Sequence, residues 1–245
     1  MEYDYSEDLK KRISDNIISV KEAIDEATAF SGREKGSVTL IGVSKVFPVE
    51  YAEAAAMSGL ADLGENRVQE LVGKVERFSA LDIDVNWHLI GTLQKNKVKY
   101  IVGKTALIHS VNTVELAEEI SKRSAGNNVT TKILLQANVS GEESKHGFAP
   151  HELKPAIDKI ADMPAIEMCG LMTMAPIETY EGEAREVFAK TRNIFEELKR
   201  YTGSENWKVL SMGMSQDYKS AIYEGATHIR IGTAIFGNRA EYQQM

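Results

Sequence analysis

The chain has 245 residues, 43% hydrophobic and 27% charged, a composition that excludes disordered, collagen-like and disulfide-rich classes. Twenty-nine basic against thirty-six acidic residues leave a formal charge of −7, which argues against general nucleic-acid binding, because neutralising phosphates needs a net basic face. Cys169 is the sole cysteine, Met1–Asp8 is acidic and aromatic where a secretory signal would be basic, and no apolar run reaches about twenty residues, so a cytoplasmic protein without disulfides or membrane contact is expected.

The first predicted element is a helix over Asp8–Phe30, whose Leu9, Ile13, Ile17, Ile18, Val20, Ala23 and Ile24 fall mostly on one side. Gly32–Lys35 breaks it. From there one rhythm repeats: a short apolar run, a polar or glycine-bearing turn, then an amphipathic stretch. Strand Val38–Lys45 precedes helix Val49–Met57, Ala61–Glu65 precedes Arg67–Phe78, Val85–Gly91 precedes Gln94–Val102, and Ala106–Val111 precedes Val114–Arg123. Thr131–Val139 then leads to Pro150–Asp162, Ile166–Ala175 to Gly182–Tyr201, and Lys208–Met214 to Ser215–Glu224, before a last strand over His228–Phe236. Strict alternation demands parallel strands with helical crossovers, and eight of them favour an α/β fold of the single (β/α)8 barrel type, with a doubly wound open sheet as the alternative. No linker divides the chain, so residues 37–239 are read as one barrel domain with 1–33 as a helical extension.

Barrels carry their chemistry at the carboxyl ends of strands. Lys45 ends the first strand in Val43-Ser44-Lys45-Val46-Phe47-Pro48, where apolar neighbours would desolvate its ammonium and favour the neutral amine that attacks a carbonyl; the competing reading is a snorkelling strand-end lysine. Strands seven and eight finish in Leu210-Ser211-Met212-Gly213-Met214-Ser215 and Arg230-Ile231-Gly232-Thr233, which suit a phosphate held by backbone amides. Ser211 and Thr233 would add hydroxyls, and Gly213 and Gly232 would let the backbone come close, unless they are only turn glycines. Period-two alternation sets Arg230 opposite Ile229 and Ile231, hence inside the barrel, where it must meet a carboxylate such as Glu65 or an acceptor on a ligand. Lys95, Lys97 and Lys99 beside Tyr100 read as a solvated helix face, and His109 and His146 lack partners at metal-ligand spacing, so no metal site is expected.

Six motifs stand in order: Gly42-Val43-Ser44-Lys45, Gly64-Glu65-Asn66-Arg67-Val68-Gln69-Glu70, Trp87-His88-Leu89-Ile90-Gly91, Gly170-Leu171-Met172-Thr173-Met174, Ser211-Met212-Gly213-Met214-Ser215 and Arg230-Ile231-Gly232-Thr233-Ala234-Ile235-Phe236-Gly237. Together they resemble the pyridoxal phosphate homeostasis protein family, itself similar to the barrel domain of alanine racemase, the fold-type III pyridoxal phosphate proteins. The resemblance spans Ser37–Arg239; it departs at Arg67, where a tyrosine is common, with no proposed ligand affected. It implies that pyridoxal 5′-phosphate sits as an internal aldimine on Lys45, that Arg230 faces the pyridine nitrogen, and that Ser211, Gly232 and Thr233 hold the phosphate. Asn66 and His88 match positions lining the pocket, where the alternatives are a helix cap and a packed histidine. Lys145 matches a loop lysine that could receive cofactor during transfer, the alternative being a solvated charge.

The function implied is intracellular pyridoxal phosphate homeostasis, by a monomeric carrier that supplies apo-enzymes and has no catalytic residues of its own. Two other readings stand beside it. A racemase would need a second acid/base opposite Lys45, which racemases of this fold take from an additional domain. A barrel aldolase would use Lys45 on its substrate without any cofactor.

Overall fold

The structure, a computed structural model, describes residues 5–142, 146–176 and 181–238. At its centre eight parallel strands close in chain order: β1 Thr39–Val43, β2 Asp62–Glu65, β3 Asn86–Leu89, β4 Leu107–Val111, β5 Thr131–Gln136, β6 Ile166–Met172, β7 Val209–Ser211 and β8 His228–Ile231. β1 pairs with β8, Ile41 opposite Arg230, so the sheet has no edge and the open-sheet alternative falls. Around it lie α2 Val49–Met57, α3 Val68–Ala80, α4 Val114–Gly126, α5 Leu153–Ala161, α6 Glu181–Thr202 and α7 Tyr218–Tyr223, with α1 Tyr5–Phe30 before the barrel and α8 Thr233–Phe236 after it.

Several boundaries depart from the expected ones for local reasons. The helix expected at Gln94–Val102 is a 3₁₀ turn over Lys95–Tyr100, and the buried Val98 within it and Ile101 just after it stand three apart, matching three residues per turn. β8 stops at Ile231, because the chain coils after Gly232 and the Ile235 and Phe236 amides bond back to the Gly232 carbonyl. Strands β5 and β6 also end three residues early, at Gln136 and Met172.

Most buried apolar side chains lie in one cluster that includes Leu63, Leu71, Phe78, Leu89, Ile120, Phe188, Trp207 and Phe236, joining the outer faces of the strands to the helices. A smaller cluster of Leu107, Leu134, Cys169 and Met172 is separate from it. By strand alternation Leu107 shares its face with His109, which places this second cluster within the barrel. On α1, Leu9, Ile13, Ile17, Val20, Ile24 and Ala27 are buried three or four residues apart while Ile18 is 53% exposed. That stripe packs on α2, α7 and α8, and Asn16 Nδ2 donates to the Ile235 carbonyl at 2.8 Å.

Candidate functional site

Lys45 stands two residues beyond β1 at the carboxyl rim of the barrel, on the wall of a cavity of about 1010 Å³. Its turn is tightly held. The Ser44 amide donates to the Gly64 carbonyl and the Phe47 amide to the Ser44 carbonyl, both at 3.2 Å. Between them Val46 has φ 74°, in the left-handed region that β-branched residues avoid, and its amide donates to Glu70 Oε2 at 2.9 Å. Behind the turn Lys74 of α3 is buried, donating to the Ser44 carbonyl at 2.8 Å and forming an ion pair with Glu65, which also accepts from the Ser44 hydroxyl at 2.6 Å. Burial pushes the Glu65 carboxyl above its usual value, and Lys74 and Ser44 only partly pull it back. Glu65 therefore serves the Lys45 turn, and Arg230 takes other partners.

Arg230 points into the barrel as alternation requires, and it lines the cavity floor. Its Nη2 donates to the Thr173 carbonyl at 2.9 Å and its Nη1 to the Ser211 hydroxyl. Burial lowers the Arg230 pKa to about 10, with Asp217 acting the other way, so the guanidinium stays charged at neutral pH.

Facing the same cavity are the turn Met214–Asp217 after β7 and the start of α8. Asp217 holds that turn by accepting from the Met214 amide, and the Asp217 and Tyr218 amides donate to the Met214 carbonyl. The Ser215 and Gln216 amides make no hydrogen bond to the described residues, and those of Thr233 and Ala234 are first-turn amides of α8, which have no acceptor within the helix. Ser215, Gln216, Thr233 and Ala234 all line the cavity, so it gathers four backbone amides and two hydroxyls of the kind that can hold an anion.

Lys45, Asn66, Arg230, Gly232 and Thr233 all come together on this cavity. Asn66 is set by Gly91, where a Cβ would fall 2.3 Å from the Asn66 carbonyl oxygen. Ser211, Gly213 and His88 are not among the residues that line the cavity. Ser211 lies one layer deeper, fully buried, its hydroxyl taken by Arg230 and by His109 Nδ1 at 2.9 Å. Gly213 has φ 96° and a Cβ there would sit 2.7 Å from Ala221 Cβ, so it serves the packing of the turn on α7. His88 is buried between His109 Nε2, 2.9 Å from its Nδ1, and Asp62 Oδ1, 3.0 Å from its Nε2. Lys145 falls outside the described residues.

Ser215, Gln216, Thr173, His109 and Asp62 were not singled out from the sequence as parts of this site. Ser215 closes the motif that supplied Ser211, and its position beyond the strand end was the available signal. For His109 the signal was a polar residue at an inward position of an apolar strand.

The family model described as the alanine racemase N-terminal domain matches residues 22–240. Over 90% of this chain and 95% of the relative, 42% of residues are identical to the pyridoxal phosphate homeostasis protein of Aquifex aeolicus. The chain belongs to the pyridoxal phosphate homeostasis protein family. The family's Pseudomonas aeruginosa member is 38% identical over 93% of this chain and 96% of its own length. Among solved structures, PipY of Synechococcus elongatus with PLP bound superposes with a TM-score of 0.77 at 34% identity, over 87% of this chain and all (100%) of that one. Alanine racemase of Clostridium difficile shares the fold of this family member, with a TM-score of 0.72 at 14% identity over 95% of this chain and 60% of that one.

Proposed function

We propose that the protein binds pyridoxal 5′-phosphate in this cavity, covalently on Lys45, and acts as a carrier that keeps the reactive aldehyde scarce and delivers it to apo-enzymes. The observation that carries the reading is the convergence on one cavity of a lysine, a buried guanidinium and the backbone amides of a turn and a helix start. These match the three functional ends of the cofactor. The amides of Ser215, Gln216, Thr233 and Ala234 would hold the phosphate, as backbone donors at a turn and helix start do for anions generally. Arg230 would meet the ring nitrogen, and Lys45 would present its amine on the wall above. Bound pyridoxal phosphate supplies an aldehyde that condenses with a primary amine, releasing water. The clamped turn of Ser44–Phe47 holds that amine in register with the cavity.

A guanidinium donates a hydrogen bond to a pyridine nitrogen without surrendering its proton, which leaves the ring a poor electron sink and favours carriage over catalysis. The racemase reading keeps one support, because Tyr218 and His146 also line the cavity and are candidates for a second acid/base. Incubating the loaded protein with single enantiomers of alanine, serine and glutamate in deuterium oxide separates the two. The carrier account predicts no deuterium at Cα and a visible absorption band that Lys45→Ala lacks while its circular dichroism stays native. Exchange at Cα would establish the racemase, and a colourless wild-type protein after incubation with pyridoxal phosphate would end both.

A further inference from the structure

Five side chains make one continuous chain of hydrogen bonds through the barrel, from Asp62 at the first position of β2 to Arg230 under the cavity: Asp62, His88, His109, Ser211, Arg230. The direction of every bond follows from the end that cannot accept. Arginine only donates, so the Ser211 oxygen accepts from Nη1 and its own hydrogen must go to its one other partner among the described residues, His109 Nδ1. A bare Nδ1 puts the His109 proton on Nε2, where it meets His88 Nδ1. That nitrogen must then be bare in turn, and the His88 proton on Nε2 reaches the Asp62 carboxylate. In this arrangement each donor has an acceptor and both rings are neutral. With Asp62 ionised, the reverse direction needs a doubly protonated His88, and in either case it strands the Ser211 hydrogen in a fully buried position. Burial pushes His109 well below its usual pKa, in keeping with a neutral ring, and the Asp62 carboxyl, which burial alone would raise, is held below its usual value by His88 and Asn86.

We infer that Asp62, His88, His109 and Ser211 are positioning residues for Arg230: a one-way relay of donors that fixes the rotation of its guanidinium and couples whatever it meets in the cavity to a carboxylate at the opposite end of the barrel. Thr173 holds the second terminal nitrogen, so the two anchors together leave the guanidinium no freedom to turn. The relay is independent of any ligand; its effect on a cofactor rests on the reading of Arg230 given above.

The test begins with the ligand-free protein. Long-range 15N–1H spectra of the imidazoles at neutral pH should show His88 and His109 as neutral rings with the proton on Nε2 and both Nδ1 atoms accepting. A proton on Nδ1 of either ring, or a doubly protonated His88, overturns the relay. Ser211→Ala should release the His109 tautomer, and in protein loaded with pyridoxal phosphate it should shift the visible band and weaken affinity by about tenfold, the size of one charge-assisted hydrogen bond. Asp62→Asn keeps an acceptor for His88 and should preserve both tautomers while moving the band in the same direction by less. A band unmoved by Ser211→Ala but moved by Arg230→Gln overturns the coupling. A band unmoved by both, with the tautomers as expected, instead removes Arg230 from the ring nitrogen and leaves the relay standing.

Discussion

Val46 adjoins Lys45 in a conformation that costs a non-glycine residue roughly 1–2 kcal/mol, and with 39% of its surface exposed it gains little from burial. Glycine would remove that strain but lose about 1 kcal/mol through its freer unfolded chain. Val46→Gly is therefore expected to stay within about 1 kcal/mol of the wild type in urea unfolding while loosening the Lys45 turn. Release of pyridoxal phosphate to an excess of apo-enzyme should speed up; an unchanged rate would mean that the turn does not set cofactor retention. Legibility also varied at this scale. Arg230 could be oriented from sequence because two isoleucines flank it in a strand, so one parity decides its face. Ser211 has the right residue type in the right motif, yet whether it reaches the wall or the layer beneath depends on where β7 ends, because inward positions along a strand lie two residues apart.

At the scale of elements, α3 acts as the brace of the site. From it Lys74 reaches the Ser44 carbonyl and Glu65, and Glu70 reaches the Val46 amide, so a single helix fixes both sides of Lys45. Glu65 is fully buried, and its second oxygen has no hydrogen-bond partner among the described residues. Lys74→Met would leave that carboxylate buried without its cation, and a loss of about 3–5 kcal/mol in unfolding free energy is expected. Pairing it with Glu65→Leu should recover most of the loss, and a Lys74→Met protein as stable as the wild type would refute the brace. The alternation of strands and helices was legible because each β-branched run is bounded by turn residues. The coil of Thr233–Phe236 was not, since Ile235 and Phe236 are as buried in a helix as they would be in a strand.

The molecule as a whole keeps a polar seam inside an otherwise apolar barrel, and that has a cost in acid. Burial lowers the His228 pKa to about 4, with His88 and Arg230 adding to the effect, and His109 is lowered in the same sense. Both histidines are neutral when folded and take up protons more readily when unfolded, so their stability contribution is whole above pH 6.5 and is lost as pH falls towards 4. His228 alone should reduce the unfolding free energy by about 2 kcal/mol between pH 7 and pH 5, measured by urea denaturation, and His228→Gln should flatten that slope. Equal stability of the wild type at the two pH values would show that these rings titrate normally. The barrel itself could be read from eight repeats of one pattern, whereas the seam could not, because its members lie on five strands and only closure brings β2, β3, β4, β7 and β8 together around it. The central claim concerns one amine. After incubation with pyridoxal phosphate, borohydride reduction and proteolysis, peptide mass spectrometry should find a phosphopyridoxyl group on Lys45 in stoichiometric amount. A fully labelled protein whose adduct lies on another lysine, with Lys45 unmodified, would contradict the account.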